Sequence, residues 1–242
     1  MLLRESSIQL LKPAPELERI RARQILRILR QTIQVRNQDF ATLVVANESH
    51  DPFRVLVVTI LSQNCTDIAA LRAYRNLDRQ IGVTAADLER ASAREIQGAI
   101  RVAGLHRQKA RGIRRLAQMV EEHYSLNFAG ALNGELEEVR SRLQQFPKVG
   151  PKTADVLLSV FGRRTISVDT HVNRVSKRLG IVPQNAKYEQ VRAVLMQLFR
   201  KDDYPTIPLL FMTHGRQVCK ALKPRCTACP VERLCPYPRK NL

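Results

Sequence analysis

Apolar residues recur at helical spacing along most of the chain. In residues 15–36, Leu17, Ile20, Ile25, Ile28 and Leu29 mark a stripe through an otherwise basic segment, which predicts an amphipathic helix. Residues 52–62 are apolar nearly all round, so the helix opened by Asp51-Pro52 is expected to be buried. Thr84 with Asp87, and Ser92 with Glu95, have capping-box spacing. Helices are then predicted over 92–102, 107–123, 135–145, 151–161, 170–179 and 187–200, with Gly104 and Gly180 as breaks. No stretch alternates like a strand and no repeat is visible. The expected class is all-α.

"FPKVGPKTADVLL", residues 146–158, places a short turn, Pro147-Lys148-Val149-Gly150, between two predicted helices. A helix-hairpin-helix of this kind aims backbone N–H groups at one point, and the dipole of the second helix adds positive charge there. A phosphate fits such a nest, so the backbone of Lys148, Val149 and Gly150 is a candidate grip on nucleic acid that reads no sequence. The plain alternative is an αα-corner that uses glycine for backbone freedom alone.

Charge strengthens the first reading. The 242 residues hold 40 Lys and Arg against 22 Asp and Glu, a formal +18, which calls for an anionic partner. The longest apolar run, Val55–Leu61, is far too short for a membrane span, and the N-terminus lacks the apolar core of a secretory signal. An intracellular, soluble chain is expected, cytoplasmic with the nucleoid or nuclear.

Lys152 falls in the first turn after the hairpin. The positive dipole end disfavours a further cation there and so favours the neutral, nucleophilic amine. A second phosphate contact is the alternative. Asp169 begins the next helix, in "TISVDTHVNRVSKRLG", residues 165–180. It can cap that helix; a carboxylate near such an amine could also activate it or steady positive charge forming on a sugar.

Four of the five cysteines, Cys219, Cys226, Cys229 and Cys235, crowd into one short segment as C-x6-C-x2-C-x5-C. Residues 219–242 carry four prolines and little apolar material, so this stretch needs a staple. Four thiolates suit a structural zinc or a [4Fe–4S] cluster, and the ligand type leaves both open. Between the first two cysteines, Lys220, Lys223 and Arg225 load a short loop with positive charge. Cys65 stands apart and reads as a packed core thiol.

LQQFPKVGPKTA followed by VDTHVNRV resembles the endonuclease III branch of the helix-hairpin-helix DNA glycosylases, whose patterns are L-P-G-V-G-x-K-T-A and V-D-T-H. The likeness spans roughly residues 48–237. It implies two helical lobes with double-stranded DNA in the cleft between them. Residues 49–163 would form a six-helix barrel; residues 1–48 and 164–242 would form the cluster lobe. It implies that Lys152 attacks the deoxyribose C1′ with help from Asp169, forming a Schiff base, and that the strand is then nicked by β-elimination 3′ to the lesion. The cysteine spacing, preceded by His214-Gly215-Arg216, resembles the family's [4Fe–4S] site, with Lys220, Lys223 and Arg225 on a DNA-contacting loop. In "LSQNCTD", residues 61–67, Asn64 takes the column of a gap-filling glutamine and Gln63 precedes it. Leu105 matches the family's apolar wedge, with His106 beside it.

Phe146 and Lys148 depart from the family's hairpin leucine and first hairpin glycine. The expected activity is that of a monomeric bifunctional glycosylase and AP lyase for oxidised pyrimidines. A mismatch glycosylase of the same superfamily, or a non-catalytic helix-hairpin-helix DNA-binding module, are the alternatives; Lys152 speaks against the former. The short tail beyond Cys235 is expected to leave no room for the extra domain of the adenine-specific type.

Overall fold

Asp51 sets the start of the most apolar helix in the chain. Its Oδ1 accepts from the N–H of Phe53 at 2.8 Å, and Pro52 occupies the first helical position, where no intrahelical bond is lost. The computed structural model describes residues 15–125 and 127–238, and among them there is no β-strand. The helices are α1 (Glu16–Thr32), α2 (Ala41–Ser49), α3 (Pro52–Leu61), α4 (Asp67–Gln80), α5 (Ala85–Arg90), α6 (Ala93–Ala99), α7 (His106–Tyr124), α8 (Leu136–Leu143), α9 (Pro151–Val160), α10 (Thr170–Arg178), α11 (Tyr188–Leu198) and α12 (Thr206–Gln217). The all-α class is as expected. None of these helices is long and apolar enough to cross a membrane.

The chain divides into two compact units. One runs from Val35 to Ser167; the other joins the N-terminal part, up to Gln34, to everything from Val168 onward. The borders thus fall at 34/35 and 167/168, not at 48/49 and 163/164. The reason is packing: Ala41 and Val45 of α2 share the core of α3, and buried Thr165 bonds Asp155 of α9.

In the 35–167 unit, α3 is the central element, with Phe53 and every residue from Val55 to Leu61 buried. It packs against α2, α4, α7 and α9. Phe146 explains its own departure: its ring lies 5.5 Å from Phe128 and 6.1 Å from Tyr124, and Phe128 meets Phe53 at 6.0 Å. The helices of the hairpin are joined by a buried ion pair, Arg140 Nε to Asp155 Oδ1 at 3.0 Å, with Thr165 Oγ1 donating to the same oxygen at 2.7 Å.

In the other unit, α1 buries Ala22, Ile25, Leu26 and Leu29 and packs against α11 and α12. The helix ends at Thr32, short of residue 36. Leu17 and Ile20 fall off the buried line and are 80% and 53% exposed, so they do not extend the stripe. Arg21 donates to three carbonyls, Leu179 O at 2.8 Å, Leu234 O at 3.0 Å and Gly180 O at 3.0 Å. Gly180 takes φ +64, and a Cβ there would meet Pro236 Cγ at 2.7 Å, so glycine is required. Helices α2, α4 and α12 lie where the sequence pattern singled out no element.

Candidate active site

The hairpin turn is closed by Phe146 N–H to Leu143 O at 3.2 Å and Val149 N–H to Phe146 O at 3.2 Å. Val149 is buried, 4% exposed, and belongs to the core of this unit. Gly150 is exposed with φ −90, and a Cβ there would meet nothing within 4 Å. Neither backbone conformation nor packing within the chain calls for glycine at this position. A side chain is missing where an outside group could approach the backbone closely. Lys152 follows, exposed in the first turn of α9.

The residue of the turn that does need left-handed backbone is Lys148, at φ +66. Its alkyl chain lies across Gly112 of α7, where a Cβ would approach Lys148 Cγ to 2.6 Å. Gln63 holds the turn from the other side, its Nε2 donating to Lys148 O at 2.8 Å and to Thr153 Oγ1 at 3.3 Å. Asn64, next in line, is exposed at φ +50, a conformation asparagine tolerates. Gln63 and Asn64 thus separate: one amide is spent on the hairpin, the other faces out. Leu105 also adopts left-handed backbone, φ +45, and is 50% exposed. A bulky apolar residue in that conformation is a genuine outlier, and it stands at the start of α7 with half-buried His106 beside it.

In the other unit, Asp169 is 9% exposed and caps α10, its Oδ1 accepting from Val172 N–H at 2.7 Å. Capping uses one oxygen only. His171 sits nearby; burial holds its ring below the usual histidine range, and the Asp169 charge opposes that.

Cys219, Cys226, Cys229 and Cys235 line one small cavity together with His214, Arg178 and Tyr237. Among the described residues no three His, Cys, Asp or Glu side chains converge closely enough to hold a single ion. Burial, reinforced by the neighbouring cysteines, pushes the Cys229 thiol up to about 11 and also raises Cys235. Such thiols give up their protons to a metal. His214 points Nε2 at Cys229 Sγ, 3.8 Å away, and its buried Nδ1 has no partner. Arg178 donates to Cys219 Sγ at 3.5 Å and to Lys220 O at 2.6 Å, and stacks 4.7 Å over the Tyr237 ring. The loop it pins leaves Lys223 and Arg225 exposed and Lys220 half-buried.

Residues 57–201 match the HhH-GPD superfamily of base excision DNA repair proteins. Endonuclease III of Sulfolobus acidocaldarius is 33% identical over 223 residues, covering 91% of this chain and 98% of its own length. The chain belongs to the endonuclease III family. A solved non-covalent Endonuclease III–DNA complex superposes with a TM-score of 0.76 at 29% identity, covering 90% of this chain and 95% of that one. A trapped Endonuclease III–DNA covalent intermediate superposes with a TM-score of 0.70 at 32% identity, covering 88% and 95%.

Set beside the endonuclease III hairpin pattern, the structure accounts for both departures. Phe146 joins an aromatic cluster, and Lys148 occupies a left-handed position that glycine would fill without strain. Cys65 is half-buried against the core. Pattern reading missed the residues that brace the site. Arg178, Arg174 and Lys109 look like members of a general basic excess. Arg174, for example, ties Cys219 O at 3.1 Å and Gly215 O at 2.9 Å.

Proposed function

We propose that this protein is a bifunctional DNA glycosylase and AP lyase that removes oxidised pyrimidines from double-stranded DNA. The observation that carries the reading is Gly150 beside Lys152: an open backbone nest with an exposed amine two residues along the chain. The hairpin holds the sugar-phosphate chain by backbone N–H groups, and α9 presents the amine to the sugar.

Lys152 Nζ, as the free amine, forms a bond to C1′ while the glycosidic C–N bond breaks and the base leaves with the electron pair. Asp169 steadies the positive charge on the sugar as that bond lengthens. Ring opening gives the Schiff base, a C2′ proton is lost, and the 3′ phosphate departs. Water then releases the lysine. Asn64 fills the gap left by the extruded nucleotide, and Leu105, with His106, parts the stack. Phosphate contacts come from the Lys148–Gly150 turn and from Lys220, Lys223 and Arg225. A protein acting on chromosomal DNA works in the nucleoid or nucleus.

The four cysteines suit a [4Fe–4S] cluster: soft donors around a shared cavity, with the Cys229 and Cys235 thiols raised by burial, and a ring nitrogen aimed at a sulfur. Bound there, the cluster would supply the covalent staple for residues 219–235. Arg178 and Arg174 orient the loop that it would close.

Borohydride reduction with abasic-site duplex tests the enzymatic reading. A covalent adduct is expected with the wild type and none with Lys152→Ala. An adduct of equal yield from the variant would remove Lys152 from this role. No adduct from either would leave a non-catalytic DNA-binding protein.

A further inference from the structure

Lys109 is the most deeply buried charge in the 35–167 unit that makes no ion pair among the described residues. It is 2% exposed, on the first turns of α7, and burial holds its ammonium below the usual lysine range. Its Nζ donates to Leu61 O and to Ala103 O, each at 2.7 Å. Leu61 is the last residue of α3, and Ala103 ends the short 3-10 turn before α7. A carbonyl at a helix end attracts a cation, but an apolar side chain of the same length would avoid desolvating a charge.

The two carbonyls have one thing in common. Each lies two or three residues ahead of a non-glycine residue in left-handed backbone, Asn64 three after Leu61 and Leu105 two after Ala103. These are the two tips that face outward. The second tip is also tied by the backbone bond that opens α7, Lys109 N–H to Leu105 O at 3.0 Å. Residues in sparsely populated conformations persist only where the surroundings over-determine them. Here one ammonium supplies that constraint for both loops at once.

We propose that Lys109 is a positioning residue for nucleotide extrusion: it fixes the spacing between the Asn64 loop and the Leu105 loop so that the gap is opened and filled together. The proposal rests on the glycosylase reading above. It concerns the step before bond breaking, so it separates two activities of one protein. A base still paired in the duplex must be extruded; a preformed abasic site has no base to unpair.

Lys109→Met and Lys109→Gln test it in the full-length, iron-loaded protein. For Lys109→Met, single-turnover excision of an oxidised pyrimidine should fall roughly a hundredfold. Borohydride trapping on abasic duplex should change little. A 2-aminopurine beside the lesion should lose its fluorescence rise, and Lys109→Gln should lie between. Combined with Leu105→Ala, the losses should be less than additive, because Lys109 acts through that loop. Equal losses in excision and trapping would overturn the proposal. So would strict additivity, or failure of both variants to fold, since the ammonium would then serve the fold alone. Leu105→Ala with unchanged excision would sink the wedge role itself. A wild type that neither excises nor traps would sink the enzymatic reading, and this proposal with it.

Discussion

Gln63 donates its side-chain amide to the backbone carbonyl of Lys148 across 85 residues of sequence, at 2.8 Å. The loop after α3 therefore braces the hairpin turn directly, and the turn's left-handed lysine is held at its own carbonyl. Gln63→Ala should destabilise the protein by about 1 kcal/mol, the typical worth of such a bond, and weaken DNA binding through a looser turn. Asn64→Gly, which keeps the left-handed backbone, should change stability little and slow excision. Thermal melts beside single-turnover rates distinguish the two; identical profiles for both variants would contradict the division of labour.

Lys148 trades strain against charge. Lys148→Gly relieves left-handed backbone but adds unfolded-state freedom, so stability should change by no more than about 1 kcal/mol. The same change removes one phosphate contact, and the slope of log affinity against log salt should fall by about one. Fluorescence anisotropy over a salt series measures it. An unaltered slope would place the ammonium away from DNA.

The Arg140–Asp155 pair is fully desolvated on the acid side. Asp155→Ala takes away the buried carboxylate that Arg140 Nε meets at 3.0 Å, and the contact to Glu137 is longer, 3.6 Å. The expected cost is about 3 kcal/mol in urea unfolding, because an uncompensated buried charge is far more costly than a broken surface pair. A loss below 1 kcal/mol, the worth of a surface ion pair, would mean that water reaches Arg140.

Iron should bind more tightly as pH rises. The thiols must lose protons to become ligands, and burial has moved Cys229 to about 11 and raised Cys235, so protons compete strongly at neutral pH. Retention of iron against a chelator should increase from mildly acid to mildly alkaline buffer. Cys229→Ser should lose visible absorbance and loosen the loop, so that trypsin cuts faster after Arg225. Retention that is flat with pH would contradict thiolate ligation.

Where a residue's local neighbours determine its role, the sequence was readable. Asp51-Pro52, the Ser92–Glu95 box and Asp169 cap helices as their spacing predicts, with Ser92 and Glu95 bonding reciprocally. The hairpin and the cysteine segment were equally plain. Where the role depends on a partner far along the chain, it was not. Lys109 is one of 40 basic residues, and nothing nearby reveals that two distant carbonyls claim its ammonium. The same holds for Gln63 and Asn64, adjacent amides with opposite fates. Left-handed backbone at Leu105 leaves no mark in composition. Helix α12 escaped because Pro208 and Gly215 interrupt its pattern, although both are buried within it.

Arg21 reaches the carbonyls of Leu179, Gly180 and Leu234, so α1 is completed by segments made much later. During synthesis, the 35–167 unit leaves the ribosome whole and can fold while α1 still has its apolar face uncovered. The first of the described helices to emerge is thus among the last to find its place, and assembly of the cysteine segment closes the sequence of events. A stalled ribosome would display a finished hairpin long before a finished protein.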